Sequence, residues 1–390
     1  MKHYLRSSLT SIIFFAFALS ATPLFAQSDD PYFPTRHKWE NKAPEEVGMN
    51  AQKVQEAVDY AIAHESDNPR DLEISLNTRT NEPYNELVGP VKKRGPMTGM
   101  IIKDGYIVAE WGEPQRVDMT FSVTKTFLSS TVGVAWDKGL IKSVDEKVHK
   151  YMPVEHFNSE HNSNITWDHL LRQTSDWEGT LFGKPDWADR PRQEITQEVI
   201  NRERNEPGTV WKYNDVRVNV LALAAMNVWR KPLPMVLRKH VMDPIGASNT
   251  WRWHGYENSW VNIDGVRMQS VSGGGHWGGG MWLSAYDQAK LGYLYLRNGN
   301  WNGEQIISKD WIEMALTPTE ANKGYGYMNF FLNNDQERLP SAPKDAYVFL
   351  GSGINMVYVD QQHDLVIIGR WISDYEAMDG FVKRVIEAIE

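Results

Sequence analysis

Apolar and polar positions change their period several times along the chain, and each change predicts an element. Gly99-Met100-Ile101-Ile102, then Lys103-Asp104-Gly105, then Tyr106-Ile107-Val108-Ala109 is an apolar run, a polar turn and a second apolar run. Asp-Gly at such a junction predicts a β-hairpin. The period then becomes helical, with Val123, Phe127, Leu128, Val132, Ala135 and Trp136 recurring at helical spacing. Upstream, Asn50 stands where a helix cap belongs, before Val54, Ala57, Val58, Ala61 and Ile62. Ser66 to Gly95 has no clear period and reads as a long loop. Further helices are predicted after Ile165-Thr166-Trp167, over Ile195 to Arg202, Val216 to Val228 and Leu237 to Met242, and from the cap Ser284 to Leu296. The C-terminal part returns to strands, Asn355 to Val359 and Leu365 to Ile372, before a last helix over Gly380 to Ile389. Strands at both ends with helices between them predict an α+β body. Its two ends share one antiparallel sheet, a helical region of about residues 123–270 is inserted, and a cleft lies between.

Composition narrows the setting. The chain has 390 residues, 41% hydrophobic and 23% charged, which is ordinary for a globular protein. A net charge of -9 and the lack of a basic run argue against nucleic acid as a partner. Lys2 and Arg6, the apolar run Ile12 to Leu19 and the small-residue stretch Ala21 to Ala26 read as a secretory signal cleaved after Ala26. Residues 27–50 would then be an N-terminal arm and residues 51–390 the main domain. No later segment reads as transmembrane, so a secreted, periplasmic protein without membrane insertion after cleavage is expected. With no cysteine there are no disulfides and no thiol chemistry.

The chemistry concentrates at Ser122-Val123-Thr124-Lys125. In a helix the residues at i and i+3 share a face, so Lys125 stands one turn above Ser122. A serine nucleophile needs such a base within reach, and a lysine serves when burial favours its neutral form. The N–H of a serine at a helix start is free to help hold an oxyanion. Alone, S-x-x-K is a short and common pattern. Here it follows a hairpin and opens a helix, the setting in which it carries chemistry.

Other candidates weigh less. The spacing of His156, His161 and His169 fits no zinc pattern. Asp176, Glu178, Asp186 and Asp189 could be paired acids but read better as braces of a loop. The loop Thr174 to Arg192 and the run Ser272 to Gly280 are rich in tryptophan or glycine. Trp177, Trp187, Trp277 and Trp282 are therefore candidate pocket walls, and His276 reads equally well as a structural residue or as one facing the pocket.

Taken together, these stretches resemble the serine β-lactamase/penicillin-binding-protein superfamily, and within it class C-like enzymes such as family VIII esterases and 6-aminohexanoate-dimer hydrolases. Ser122-Val123-Thr124-Lys125 matches the first motif, and Pro207-Gly208 followed by Tyr213 matches the second region. Gly279 to Ser284 with Asp287 to Gly292 matches a glycine-led helix, and Leu350-Gly351-Ser352-Gly353 sits where the third motif belongs. The resemblance covers roughly Glu45 to Glu390. It implies the β-lactamase/transpeptidase-like fold, an antiparallel sheet flanked by helices, and an acyl-serine hydrolase of small ester or amide substrates that needs no cofactor or metal. β-Lactams or peptidoglycan stem peptides are the alternative substrates. It implies Ser122 as nucleophile, Lys125 as its base partner, Tyr213 as proton relay, and the N–H groups of Ser122 and Ser352 as oxyanion hole. Two departures stand out. The family's Tyr-x-Asn reads Tyr213-Asn214-Asp215, so either Asn214 or Asp215 could contact Lys125. The third motif usually begins with Lys or His and here has Phe349, a missing cation that Arg217, Arg252 or His276 could replace.

Overall fold

Asp104 and Gly105 close the first hairpin with φ angles of +53° and +86°, the left-handed region that a two-residue hairpin turn requires. The computed structural model of the chain describes Met1 and residues 31–78, 82–191 and 193–390; the expected signal segment beyond Met1 falls outside them. The strands of the two larger sheets are, in chain order, β1 (Thr98–Lys103), β2 (Tyr106–Trp111), β3 (Asp118–Met119), β4 (Arg252–Ile263), β5 (Val266–Val271), β6 (Gly280–Leu283), β7 (Phe331–Leu332), β8 (Tyr347–Gly351), β9 (Asn355–Asp360) and β10 (Leu365–Arg370). The larger sheet has six antiparallel strands in the order β7-β8-β9-β10-β1-β2. The two ends of the sequence meet in it, Thr98 opposite Arg370 and Lys103 opposite Leu365.

Both faces of this sheet are covered, which is why its central strands read as near-continuous apolar runs rather than as an alternation. Met100 and Ile102 point into one core, with the helices α2 (Thr124–Asp137), α3 (Asp215–Trp229) and α4 (Ala285–Leu296). Ile101 and Ile367 point into the other, with α1 (Ala51–Ala63) and α5 (Tyr375–Glu387). The predicted caps hold: Asn50 Oδ1 accepts from Lys53 N–H and Ser284 Oγ from Asp287 N–H, both at 3.1 Å. The last helix begins earlier than predicted, at Tyr375, because Asp374 caps it through Ala377 N–H at 2.8 Å. The stretch read as a long loop carries one short helix, Leu72–Asn77, capped by Asp71.

Two differences bear on the site. α2 is buried almost all round rather than on one face; two of its buried hydroxyls bond back to the helix's own carbonyls, while those of Thr126 and Ser129 have no hydrogen-bond partner. Ser130 Oγ donates to the Thr126 carbonyl at 2.8 Å, and Thr131 Oγ1 to the Leu128 carbonyl at 2.8 Å. The inserted region expected to be helical ends instead in the hairpin β4–β5, part of a four-stranded sheet in the order β3-β6-β4-β5. A register shift between Gly255 and Trp260 interrupts the alternation of β4, so no clean period marks it in the sequence. This second sheet carries β3 and β6 to the start of α2.

Candidate active site

Ser122 sits on a turn held against its own preference. Phe121, the residue before it, has φ +47°, an uncommon value for a bulky side chain. Its buried ring packs edge-on against Trp371, with centroids 6.2 Å apart. A 3₁₀ turn, Phe121–Val123, then leads into α2. β6 holds this turn from both sides. Thr120 N–H donates to the Met281 carbonyl at 3.0 Å, and Met281 N–H donates to Thr124 Oγ1 at 2.9 Å.

One turn along α2, Lys125 points back at the serine, its Nζ 2.8 Å from Ser122 Oγ. The same nitrogen is 2.5 Å from Asp215 Oδ1 and 4.6 Å from the centre of the Tyr213 ring. Lys125 has no exposed surface. Burial pushes its ammonium below the usual lysine range; Asp215 opposes that shift and Arg190 adds to it.

Asn214 and Asp215 divide their work at the start of α3. Asn214 Oδ1 accepts from Arg217 N–H at 3.1 Å and its Nδ2 donates to the Asp186 carbonyl at 2.8 Å, so its side chain is a helix cap turned from the lysine. Asp215 is the one that reaches Lys125. Burial alone would raise its pKa, but Arg190 and Lys125 outweigh that and hold it well below the usual carboxylate range. Tyr213 is half-buried, with its hydroxyl beside that of Ser122. Burial first and Asp215 second push the phenol well above its usual value, against Arg190 and Ser122, so it keeps its proton at neutral pH.

Arg190 is the residue that the sequence did not single out. It leaves the loop with φ +46°, donates through Nη1 to Asp189 at 2.8 and 3.0 Å, and through Nη2 to Asp215 Oδ2 at 2.9 Å. Its guanidinium lies 5.1 Å from the Tyr213 ring centre. His276 stands behind it, Nδ1 facing Arg190 Nη2 at 3.0 Å and Nε2 facing Glu82 Oε2 at 2.7 Å. Among the described residues, Glu82, Asp189 and His276 are the one group that brings three metal-ligand atoms within 4.8 Å of one another. They do not fit a metal, because the guanidinium and main-chain N–H of Arg190 already engage all three.

Ser122, Arg190, Trp211 and Tyr213 line a cleft of about 610 Å³ together with residues 350–354 and the start of α5. β8 runs hard against Ser122: a β-carbon on Gly351 would lie 2.0 Å from the Thr120 carbonyl oxygen and 3.2 Å from Ser122 N. Ser352, on the cleft, accepts through its carbonyl from Asn355 Nδ2 at 2.8 Å. Phe331, stacked near Tyr213 with centroids 6.4 Å apart, also faces the cleft.

Several other candidates lie elsewhere. Trp177 is buried and donates from its indole to the His156 carbonyl at 2.9 Å. Trp282 packs on His254 with centroids 4.5 Å apart and donates to the Gly279 carbonyl at 3.2 Å. Neither lines the cleft, nor does His276; a tryptophan in a loop turns inward when its ring has a packing site and its N–H a carbonyl. Phe349 is buried among Tyr295, Phe330 and Tyr347. Arg217 is bound to Asp176 at 2.7 Å and Asp186 at 3.0 Å. Arg252 donates to the Asn249 and Trp251 carbonyls. None of the three cations considered at the sequence level therefore replaces the missing one.

Known proteins of this build bracket the chain. An uncharacterised protein of Alkalihalophilus pseudofirmus is 23% identical, over 79% of this chain and 94% of its own. A family VIII carboxylesterase shares the fold at 17% identity and a TM-score of 0.56, over 88% of this chain and 98% of its own. A penicillin-binding-protein homologue from Caulobacter crescentus does so at 12% identity and a TM-score of 0.57, over 87% and 99%. A family model for β-lactamases matches residues 97–383. That match runs from the first strand of the larger sheet into α5 and takes in both sides of the cleft: the chain belongs to the β-lactamase family.

Proposed function

We propose that this protein is an exported serine hydrolase that opens ester or amide bonds of small substrates through a covalent acyl-Ser122 intermediate. The observation that carries this reading is the 2.8 Å approach of a fully buried Lys125 Nζ to Ser122 Oγ. A lysine stripped of water sheds its proton more readily, and a serine 2.8 Å away is the group it can deprotonate. Ser122 Oγ would attack the carbonyl carbon as its proton moves to Lys125. The N–H groups of Ser122 and Ser352 would hold the developing oxyanion. Tyr213, protonated at neutral pH, would hand a proton to the leaving group. Water would then release the acyl group, with Tyr213 as the base that takes its proton.

The esterase among the structural neighbours supports the ester side of this reading, and the N-terminal Lys2-to-Ala26 pattern supports a periplasmic location. The β-lactamase or D,D-peptidase alternative is favoured by the family's name and by the penicillin-binding-protein homologue among the structural neighbours. Its substrates carry a carboxylate beside the scissile bond, for which the cleft offers no free cation among the described residues lining it. The test is labelling of the mature protein with a fluorophosphonate, read by peptide mass spectrometry, alongside hydrolysis of p-nitrophenyl esters, amides, nylon dimers and β-lactams. Labelling at Ser122 with turnover of an ester or amide supports the proposal. Labelling elsewhere, or none, removes it.

A further inference from the structure

We propose that Arg190 is the positioning residue of this site: fixed on Asp215 and set over the Tyr213 ring, it supplies the charge balance in which Lys125 works as a base. The inference rests on the reading of Ser122 as nucleophile and adds to it a residue that no motif of the chain marks.

Arg190 looks at first like a substitute for the missing third-motif cation. It lines the cleft, and 34% of its side chain is exposed. A carboxylate receptor, however, offers the free fork of its terminal N–H groups. Here that fork is engaged. Nη1 donates to both oxygens of Asp189, and Nη2 to Asp215 Oδ2 at 2.9 Å and His276 Nδ1 at 3.0 Å. With Nδ1 accepting, His276 is the tautomer whose Nε2–H donates to Glu82 Oε2 at 2.7 Å. Glu82 also accepts the main-chain N–H of Arg190 at 2.9 Å. The side chain is held from loop, helix start and glycine-rich run at once, and both of its terminal nitrogens are engaged by protein groups.

What remains is the action of its charge. Asp215 is shared between two cations, Oδ1 toward Lys125 at 2.5 Å and Oδ2 toward Arg190 at 2.9 Å. Left to Lys125 alone, that carboxylate would hold the proton on the lysine. Lys125 is otherwise faced by Tyr213 and Tyr325, and both Asp215 and Tyr325 favour its charged form. Arg190 is the neighbouring cation that opposes them, and it also favours ionisation of Tyr213. Removing it moves both groups the same way, toward holding their protons at higher pH.

The experiment compares wild type, Arg190→Met and Arg190→Lys in the pH dependence of kcat and KM for a p-nitrophenyl ester and of the fluorophosphonate labelling rate. In R190M the acid limb of kcat/KM is expected to move up by about one pH unit or more. The alkaline limb should move the same way, kcat at neutral pH should fall tenfold or more, and KM should stay within threefold. R190K keeps the charge and should hold the limbs near those of wild type, with kcat only partly restored, because an ammonium cannot bridge Asp189 and Asp215. Limbs that stay in place in R190M while activity falls would reduce Arg190 to a structural brace. A rise in KM with kcat kept would make it a substrate receptor. Either result overturns the proposal, as does a limb shift of a full unit in R190K, the variant that decides the matter if R190M does not fold. A wild type that neither labels nor turns over ester removes the functional reading and this inference with it; an active wild type with unmoved limbs removes this inference alone.

Discussion

Gly274 lies so close to Lys125 that a β-carbon at position 274 would stand 2.4 Å from the lysine Nζ and 2.5 Å from Asp215 Oδ1. No real β-carbon tolerates such a contact, so the glycine-rich run is in part a demand for empty space around one ion pair. Gly274→Ala is expected to push Lys125 off Ser122. Overpacking of this kind costs on the order of 1–3 kcal/mol, and a catalytic group moved by about 1 Å loses roughly a hundredfold in rate. The expected outcome is kcat/KM down about a hundredfold in a protein that still folds, checked by ester hydrolysis beside a thermal melt. Near-wild-type turnover would mean that the site repacks freely and that the fit is not what places the lysine.

Ser122→Ala deletes only a hydroxyl that Lys125 reaches at 2.8 Å, so it should abolish both labelling and turnover while leaving the melting temperature almost unchanged. Lys125→Arg should be nearly as damaging as Lys125→Ala. Arginine keeps the charge beside Asp215 but does not give up a proton at working pH. Burst kinetics with a p-nitrophenyl ester check this. If the arginine variant recovers much of the acylation rate, Lys125 is an ion-pair partner rather than a base.

Much of this arrangement could be read from the sequence, and the part that could not has a common cause. The hairpin around Asp104-Gly105 and the caps Asn50 and Ser284 are local: a few neighbouring residues determine each. The same local signal stands at Asp264-Gly265, both at positive φ, but the bulge in β4 and its polar residues Glu257, Asn258 and Asn262 hide the alternation that would mark the hairpin there. Ser122 and Lys125 were legible because they are one helical turn apart. Arg190 was not, since its importance comes from Glu82, Asp215 and His276, which only the folded chain brings together. Trp177 misled for the opposite reason: tryptophan in an irregular, polar loop suggests a pocket wall, while its indole N–H had a buried carbonyl to satisfy.

Asn214 and Asp215 should separate cleanly. Asn214→Ala removes a helix cap and is expected to cost about 1 kcal/mol of stability. Asp215→Asn leaves Lys125 and Arg190 without the carboxylate they share, and breaking a buried pair from one side costs roughly 3–5 kcal/mol. The folded pKa of Asp215 is depressed, so its contribution is fully present above the unfolded carboxylate value of about 3.9 and is lost as pH falls toward the folded one. The stability gap between wild type and D215N should therefore be widest near neutral pH and narrow below about pH 4. Urea unfolding of the two variants across pH 3 to 8 measures it. A gap that persists undiminished in acid would show that the loss is one of packing rather than charge.

Carboxylated substrates should be handled poorly, for three reasons that act at different points of the cleft. At the head of the third motif Phe349 is buried in an aromatic cluster, so no cation stands where related sites place one. The cation that does line the cleft, Arg190, has its terminal nitrogens engaged by Asp189, Asp215 and His276. At the start of α5 the cleft ends in Asp374, whose carboxyl the Ala377 N–H holds below its usual pKa, so it meets an incoming anion with like charge. A missing charge-assisted hydrogen bond is worth about 1.5–3 kcal/mol, which corresponds to roughly ten- to a hundredfold in transition-state binding. A neutral p-nitrophenyl ester does not incur this loss. We expect its kcat/KM to exceed those of benzylpenicillin and of a D-Ala-D-Ala peptide by at least that factor, and Asp374→Asn to narrow the difference by removing the repulsion. Should either carboxylated substrate be turned over more efficiently than the ester, the cleft must recruit a cation that now faces inward, and the β-lactamase or peptidase reading would take precedence over the esterase one.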